Sequence, residues 1–157
     1  MKQRILAILL SLTMIFTLVP TAMAEGDETP AVKTTTGDVT YSDNDAKIEN
    51  LVYTSGTMTV TGANVTVENV TFGDGAALKV NTSGNFTLKN CTFNGKTDVR
   101  TPVTLNVGSA TVTGNTFNGT KTDGTPTYYN AIEFGIGNDH SLKNATISGN
   151  TFTKTIK

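Results

Sequence analysis

The sequence predicts an all-β chain wound as a parallel β-helix, a solenoid of about five coils with three short strands each. Three observations carry this expectation. A six-residue segment recurs five times and ends each time in an aromatic residue. An Asn or a Gly stands at one fixed position inside every copy. Apolar and polar residues alternate on both sides of that position, which is the two-residue period of a strand.

The leader comes first. Lys2 and Arg4 precede a largely apolar run from Ile5 to Val19, then Pro20 and the small-residue site Ala22-Met23-Ala24. This is the pattern of a secretory signal peptide over 1–24. A spanning helix needs about 20 apolar residues, and this run is shorter. The expected mature chain is therefore secreted, extracellular or at the cell surface, with no membrane span after cleavage. Residues 25–45 follow as a polar lead-in, a linker or a loose first coil that caps the solenoid end, acidic at Asp43-Asn44-Asp45. The β-helix domain is expected over 46–157.

Charge and cysteine usage exclude several classes. Without Lys2 and Arg4, the 12 basic residues fall to 10 against 13 acidic ones, a net charge of −3. No basic patch is present to hold a polyanion, so nucleic acid is not an expected partner. Cys91 is the only cysteine, which rules out a disulfide framework within the chain. Stability must then come from packing and backbone pairing.

The five copies are Ile48–Tyr53, Val67–Phe72, Leu88–Phe93, Val112–Phe117 and Ile147–Phe152. In the third, Phe86 and Leu88 are apolar around Thr87, and Cys91 and Phe93 flank Thr92. Lys89 and Asn90 lie between. Two intervening residues keep the pleat in phase only if the chain bends there. The second bend position is Asn50, Asn69, Asn90, Gly114 and Gly149 in turn. Asn and Gly most readily adopt the left-handed backbone conformation, so each copy is expected to be strand, tight corner, strand. A third strand precedes each pair, around Met58 and Val60, Leu78 and Val80, Leu105 and Val107, and Ile132 to Ile136. Three strands per repeat of this length make a solenoid coil.

Stacked coils place equivalent side chains in columns. Tyr53, Phe72, Phe93, Phe117 and Phe152 are expected to form an aromatic stack. Leu51, Val70, Cys91, Asn115 and Asn150 form the inward column beside it, where stacked amides can bond to one another. Thr66, Thr87, Thr111 and Thr146 face outward, as do Thr71, Thr92, Thr116 and Thr151. The rank beside the first of these is Glu68, Lys89, Thr113 and Ser148, and its charges argue against a surface that orders ice-like water.

The repeat resembles the right-handed parallel β-helices of the pectin-lyase-like superfamily, in which an Asn commonly makes the tight turn between the second and third strands. The likeness covers about residues 46–157. It also resembles pectate-lyase-like adhesive domains of bacterial surface proteins, in the style of its leader and its Thr/Asn/Gly-rich coils. The pectate lyase branch would imply aspartate ligands for calcium and an arginine base. Here Arg100 is the only arginine of the mature chain, beside Asp98 and with Asp74 and Asp123 in neighbouring loops. These carboxylates are read as solvated loop charges rather than a cluster. The polygalacturonase branch would need clustered aspartates and a Gly-His-Gly segment, and neither occurs. Glu133 with Asp123 or Asp139 is the nearest approach to a glycosidase pair. His140 is the single histidine, too few for a zinc site.

No catalytic residue and no metal ligand is assigned on these grounds. The expectation is that no cofactor is needed, with calcium in the stacked loops as the one alternative. The ligand-binding candidates are Asp123, Tyr128 and Tyr129 in the long loop 118–131, because adjacent tyrosines on a loop can stack on sugar rings. The chain stops shortly after Phe152 with no polar final coil, so the solenoid is expected to be incomplete at its C-terminal end. The function expected is a non-catalytic cell-surface module, adhesin-like or a stalk, that meets polysaccharide, a host or cell-wall surface, or a partner protein. The alternative is the N-terminal part of a polysaccharide lyase or glycoside hydrolase whose catalytic coils lie beyond this chain.

Overall fold

The computed structural model describes residues 31–95, 101–119, 130–135 and 142–153. Among them are twelve β-strands and no helix. They are β1 (Lys33–Thr35), β2 (Val39–Tyr41), β3 (Lys47–Tyr53), β4 (Gly56–Val60), β5 (Val65–Phe72) and β6 (Ala76–Lys89). Then come β7 (Thr92–Gly95), β8 (Val103–Thr113), β9 (Thr116–Gly119), β10 (Ile132–Phe134), β11 (Asn144–Ser148) and β12 (Thr151–Thr153).

The strand pairs are parallel. Lys47 pairs with Thr66, Thr66 with Thr87, Thr87 with Thr111 and Thr111 with Thr146. Each strand therefore lies beside its own equivalent one repeat later. The pairs fall into three stacks. The first face holds β2, β4, the first half of β6, the first half of β8, and β10. The second holds the first halves of β3 and β5, the second halves of β6 and β8, and β11. The third holds β1, the second halves of β3 and β5, then β7, β9 and β12.

Left-handed corners explain how β3 and β5 each serve two faces, and they separate the second face from the third in the later repeats. Asn50, Asn69 and Asn90 have φ of 52°, 53° and 53°, and Gly114 and Gly149 have 66° and 63°. The chain turns from the second face to the third at these positions. A Cβ-bearing residue in this region costs roughly 1–2 kcal/mol unless it is Asn or Asp, which accounts for the residue types found there.

The core is one continuous set of inward columns. Ile48, Val67, Leu88 and Val112 line the second face, and Met58, Leu78 and Val103 the first. Tyr53, Phe72, Phe93 and Phe117 are fully buried behind the third. The register has little freedom. Because side chains alternate, a one-residue slip would move every one of these to the solvent side. At the end of the described stack the columns open out: Ile147 is 49% and Phe152 46% exposed.

Two features refine the expected stack. The lead-in 25–45 contains β1 and β2, which pair with β3 and β4 as the later repeats do. The first member of the aromatic column is also turned. Tyr53 meets Phe72 edge-on at 65°, whereas Phe72, Phe93, Phe117 and Phe152 stack face to face within 7°. Tyr53 carries a hydroxyl that must be satisfied once buried, and it donates to the Gly37 carbonyl.

Candidate functional site

The residues expected to bind a ligand, Asp123, Tyr128 and Tyr129, lie outside the described residues, as do Asp98, Arg100, Asp139 and His140. Glu133 sits on β10 beside Thr104 and accepts a hydrogen bond from the Thr101 hydroxyl at 3.2 Å. Asp74 follows β5 in a turn. Among the described residues no three His, Cys, Asp or Glu side chains are grouped to hold a metal, and no helix is long and apolar enough to cross a membrane.

Cys91 is buried in the inward column between Val70 and Asn115. Burial pushes its thiol up to about 12. The thiolate is the nucleophile and the metal ligand, so this group is inert near neutral pH. Its S–H lies 3.3 Å from the Lys89 carbonyl.

The outward columns are the surfaces left to meet a partner. On the first face Thr59, Lys79, Thr104 and Glu133 form one column, and Asn106 donates to Asn81 at 2.7 Å in the next. The second face is charged at its start. Glu68 takes Lys89 at 3.1 Å and Lys47 at 3.4 Å, and Lys47 also pairs with Glu49 at 2.6 Å. The hydrogen bond from Lys89, helped by its charge, holds the Glu68 carboxyl below the usual range although partial burial works against this.

The third face differs. One column runs Thr34, Val52, Thr71, Thr92, Thr116, Thr151. The column beside it runs Asn94, Asn118, Thr153, with Thr54 and Gly73 at the same place in the two earlier repeats. The Asn118 amide donates to Asn94 at 3.0 Å. No acidic or basic side chain stands in either column. The first column was expected to face outward, but the second was missed. Its signal in the sequence is the recurring triplet Thr92-Phe93-Asn94, Thr116-Phe117-Asn118, Thr151-Phe152-Thr153. The triplet places one polar side chain on each side of each stacked ring. Thr and Asn side chains both donate and accept hydrogen bonds, so such rows can hold a polar ligand without exchanging a proton with it.

Comparison with known proteins finds no matching family model, no matching curated protein and no matching solved structure.

Proposed function

We propose that this chain is a secreted, non-catalytic, right-handed parallel β-helix module of a cell surface, adhesin-like or a stalk, which presents its outward faces to polysaccharide or to a partner protein. The observation that carries the reading is the parallel register from one repeat to the next, shifted between Thr82 and Asn85 and turned at left-handed Asn and Gly corners. A solenoid of this kind is quasi-one-dimensional: each repeat contacts its neighbours, and the stack extends into a rod with long outer faces. Such a body suits display and spacing. The resemblance of the repeat to pectin-lyase-like β-helices supports the handedness, and the leader over 1–24 supports secretion. The module works without a cofactor and does not bind nucleic acid.

The test is to express the full chain in a secreting bacterial host and recover what reaches the medium or the wall. The reading expects a protein that begins at Glu25, binds polysaccharide or whole cells, and leaves polygalacturonate intact with and without calcium. Calcium-dependent cleavage, or retention of the uncleaved chain in the cytoplasm, would overturn it.

A further inference from the structure

We infer that the third face is the binding surface of this module, and that its ligand is an uncharged polysaccharide lying extended along the stacking direction. The inference rests on the proposed surface-binding role and names the face and the ligand class within it.

The first argument is charge. The first face carries Lys79 and Glu133 in its outward columns, and the second carries Lys47, Glu49, Glu68 and Lys89. The two columns of the third face are uncharged in every described row. Outward Thr is a good strand residue by itself. Propensity does not explain the difference, because strands of the same sheet tolerate Lys and Glu on the other two faces. A carboxylated or sulfated chain would call for Arg or Lys partners. A neutral polyol asks for groups that both donate and accept, which Thr hydroxyls and Asn amides do.

The second argument is order. Behind Thr92 and Thr116 lie Phe93 and Phe117, stacked at 4.9 Å and 5°, with Phe72 stacked on Phe93 at 4.4 Å and 3°. The Asn94–Asn118 bond fixes the amides of the neighbouring column. Side chains held this way lose little freedom when a ligand binds, which lowers the cost of association.

The third argument is period. The ring-to-ring spacing of 4.4–5.1 Å sets the rise from row to row. It is close to the advance of one ring in an extended β-1,4-linked pyranose chain. A polymer lying along the stack therefore advances about one ring per row, and it meets a Thr and Asn pair in two adjacent rows, Thr92 with Asn94 and Thr116 with Asn118. Single hydroxyl contacts are weak against water, but linked contacts in register add through effective concentration.

The experiment is co-sedimentation of the processed full chain with cellulose, chitin and insoluble xylan, with polygalacturonate gel as the charged comparison. Two double variants are compared with the natural protein. T92V/T116V removes two hydroxyls from the third face and keeps shape and strand preference. T87V/T111V does the same on the second face. Circular dichroism melts establish that both fold. Binding to a neutral polysaccharide that falls about tenfold in T92V/T116V and stays within about twofold in T87V/T111V supports the inference. Equal losses in the two variants or a preference for polygalacturonate would overturn it. If the protein binds cells or proteins and no polysaccharide, this inference fails while the surface-module reading stands. If it binds no surface at all, both fail.

Discussion

The side chain of Asn150 closes the hydrogen bonds of Asn115 one repeat away: its Oδ1 accepts from the Asn115 backbone N–H at 2.9 Å and from the Asn115 Nδ2 at 2.9 Å. Asn115 does the same in turn, accepting from the Cys91 N–H at 2.8 Å. The remaining amide donors go inward, Asn115 to the Leu88 carbonyl and Asn150 to that of Val112. A side chain that is 0% exposed and polar is costly unless satisfied. Here two stacked amides satisfy the backbone just past the corners at Asn90 and Gly114.

Replacing Asn115 with Leu would restore the aliphatic pattern set by Leu51 and Val70. It would also strand the buried Cys91 N–H and the Leu88 carbonyl. Asn115→Leu is therefore expected to lose at least about 2 kcal/mol in urea denaturation, despite its greater hydrophobicity.

The corner at Asn90 has a clear order of tolerance. Asn90→Ala is expected to cost about 1–2 kcal/mol, since its φ is 53°. Asn90→Gly should stay within about 1 kcal/mol, because Gly accepts the angle but is freer when unfolded. A β-branched Asn90→Val should be the worst of the three. Thermal melts of the series give the order directly. Gly114→Ala adds a second penalty, since its Cβ would sit 2.7 Å from the Asn90 Oδ1.

The charged rank on the second face sets the pH response. The Glu68 carboxyl is held low in the folded chain, first by its hydrogen bond to Lys89. Its contribution to stability is thus present above the unfolded carboxylate range and is lost as pH falls through the lower folded value. Lys47 is raised, first by its bond to Glu49, so its contribution persists at neutral pH and is lost only as alkaline pH passes the folded value. Glu68→Gln should flatten the acid limb of a stability-against-pH curve. An unchanged acid limb would show that the rank is energetically silent.

The Cys91 thiol is expected to be unreactive toward a disulfide reagent at pH 8 in the folded protein, because burial pushes it up to about 12. It should react at the rate of a free thiol once the chain is denatured. Fast labelling of the folded protein would place Cys91 outside the core.

The all-β class was legible because the αL corner leaves a residue signature. Asn50, Asn69, Asn90, Gly114 and Gly149 are small-backbone choices forced by positive φ, and each sits three residues before an aromatic. The Asn115–Asn150 contact was legible for the same reason, since equivalent positions one repeat apart must touch. The strands β1 and β2 were legible only as one of two readings of the lead-in, a loose first coil. Lys33-Thr34-Thr35 pairs with Leu51-Val52-Tyr53 through backbone alone and carries neither the apolar alternation nor the aromatic of its neighbours. The second column of the third face was hidden by position. Asn94 and Asn118 come after the aromatic, where repeats of unequal length no longer align by eye. The loop candidates Asp123, Tyr128 and Tyr129 rested on residue type, with no periodic constraint to place them.

The stacking of equivalent residues one repeat apart is tested most directly by contacts of the Phe93 ring in a nuclear Overhauser spectrum of phenylalanine-labelled protein. The account predicts that Phe93 contacts the rings of both Phe72 and Phe117, its neighbours at 4.4 and 4.9 Å, while Phe72 and Phe117 do not contact each other. A Phe93 ring in contact with neither, as a sandwich of antiparallel hairpins would leave it, would contradict the parallel stack and everything built on it.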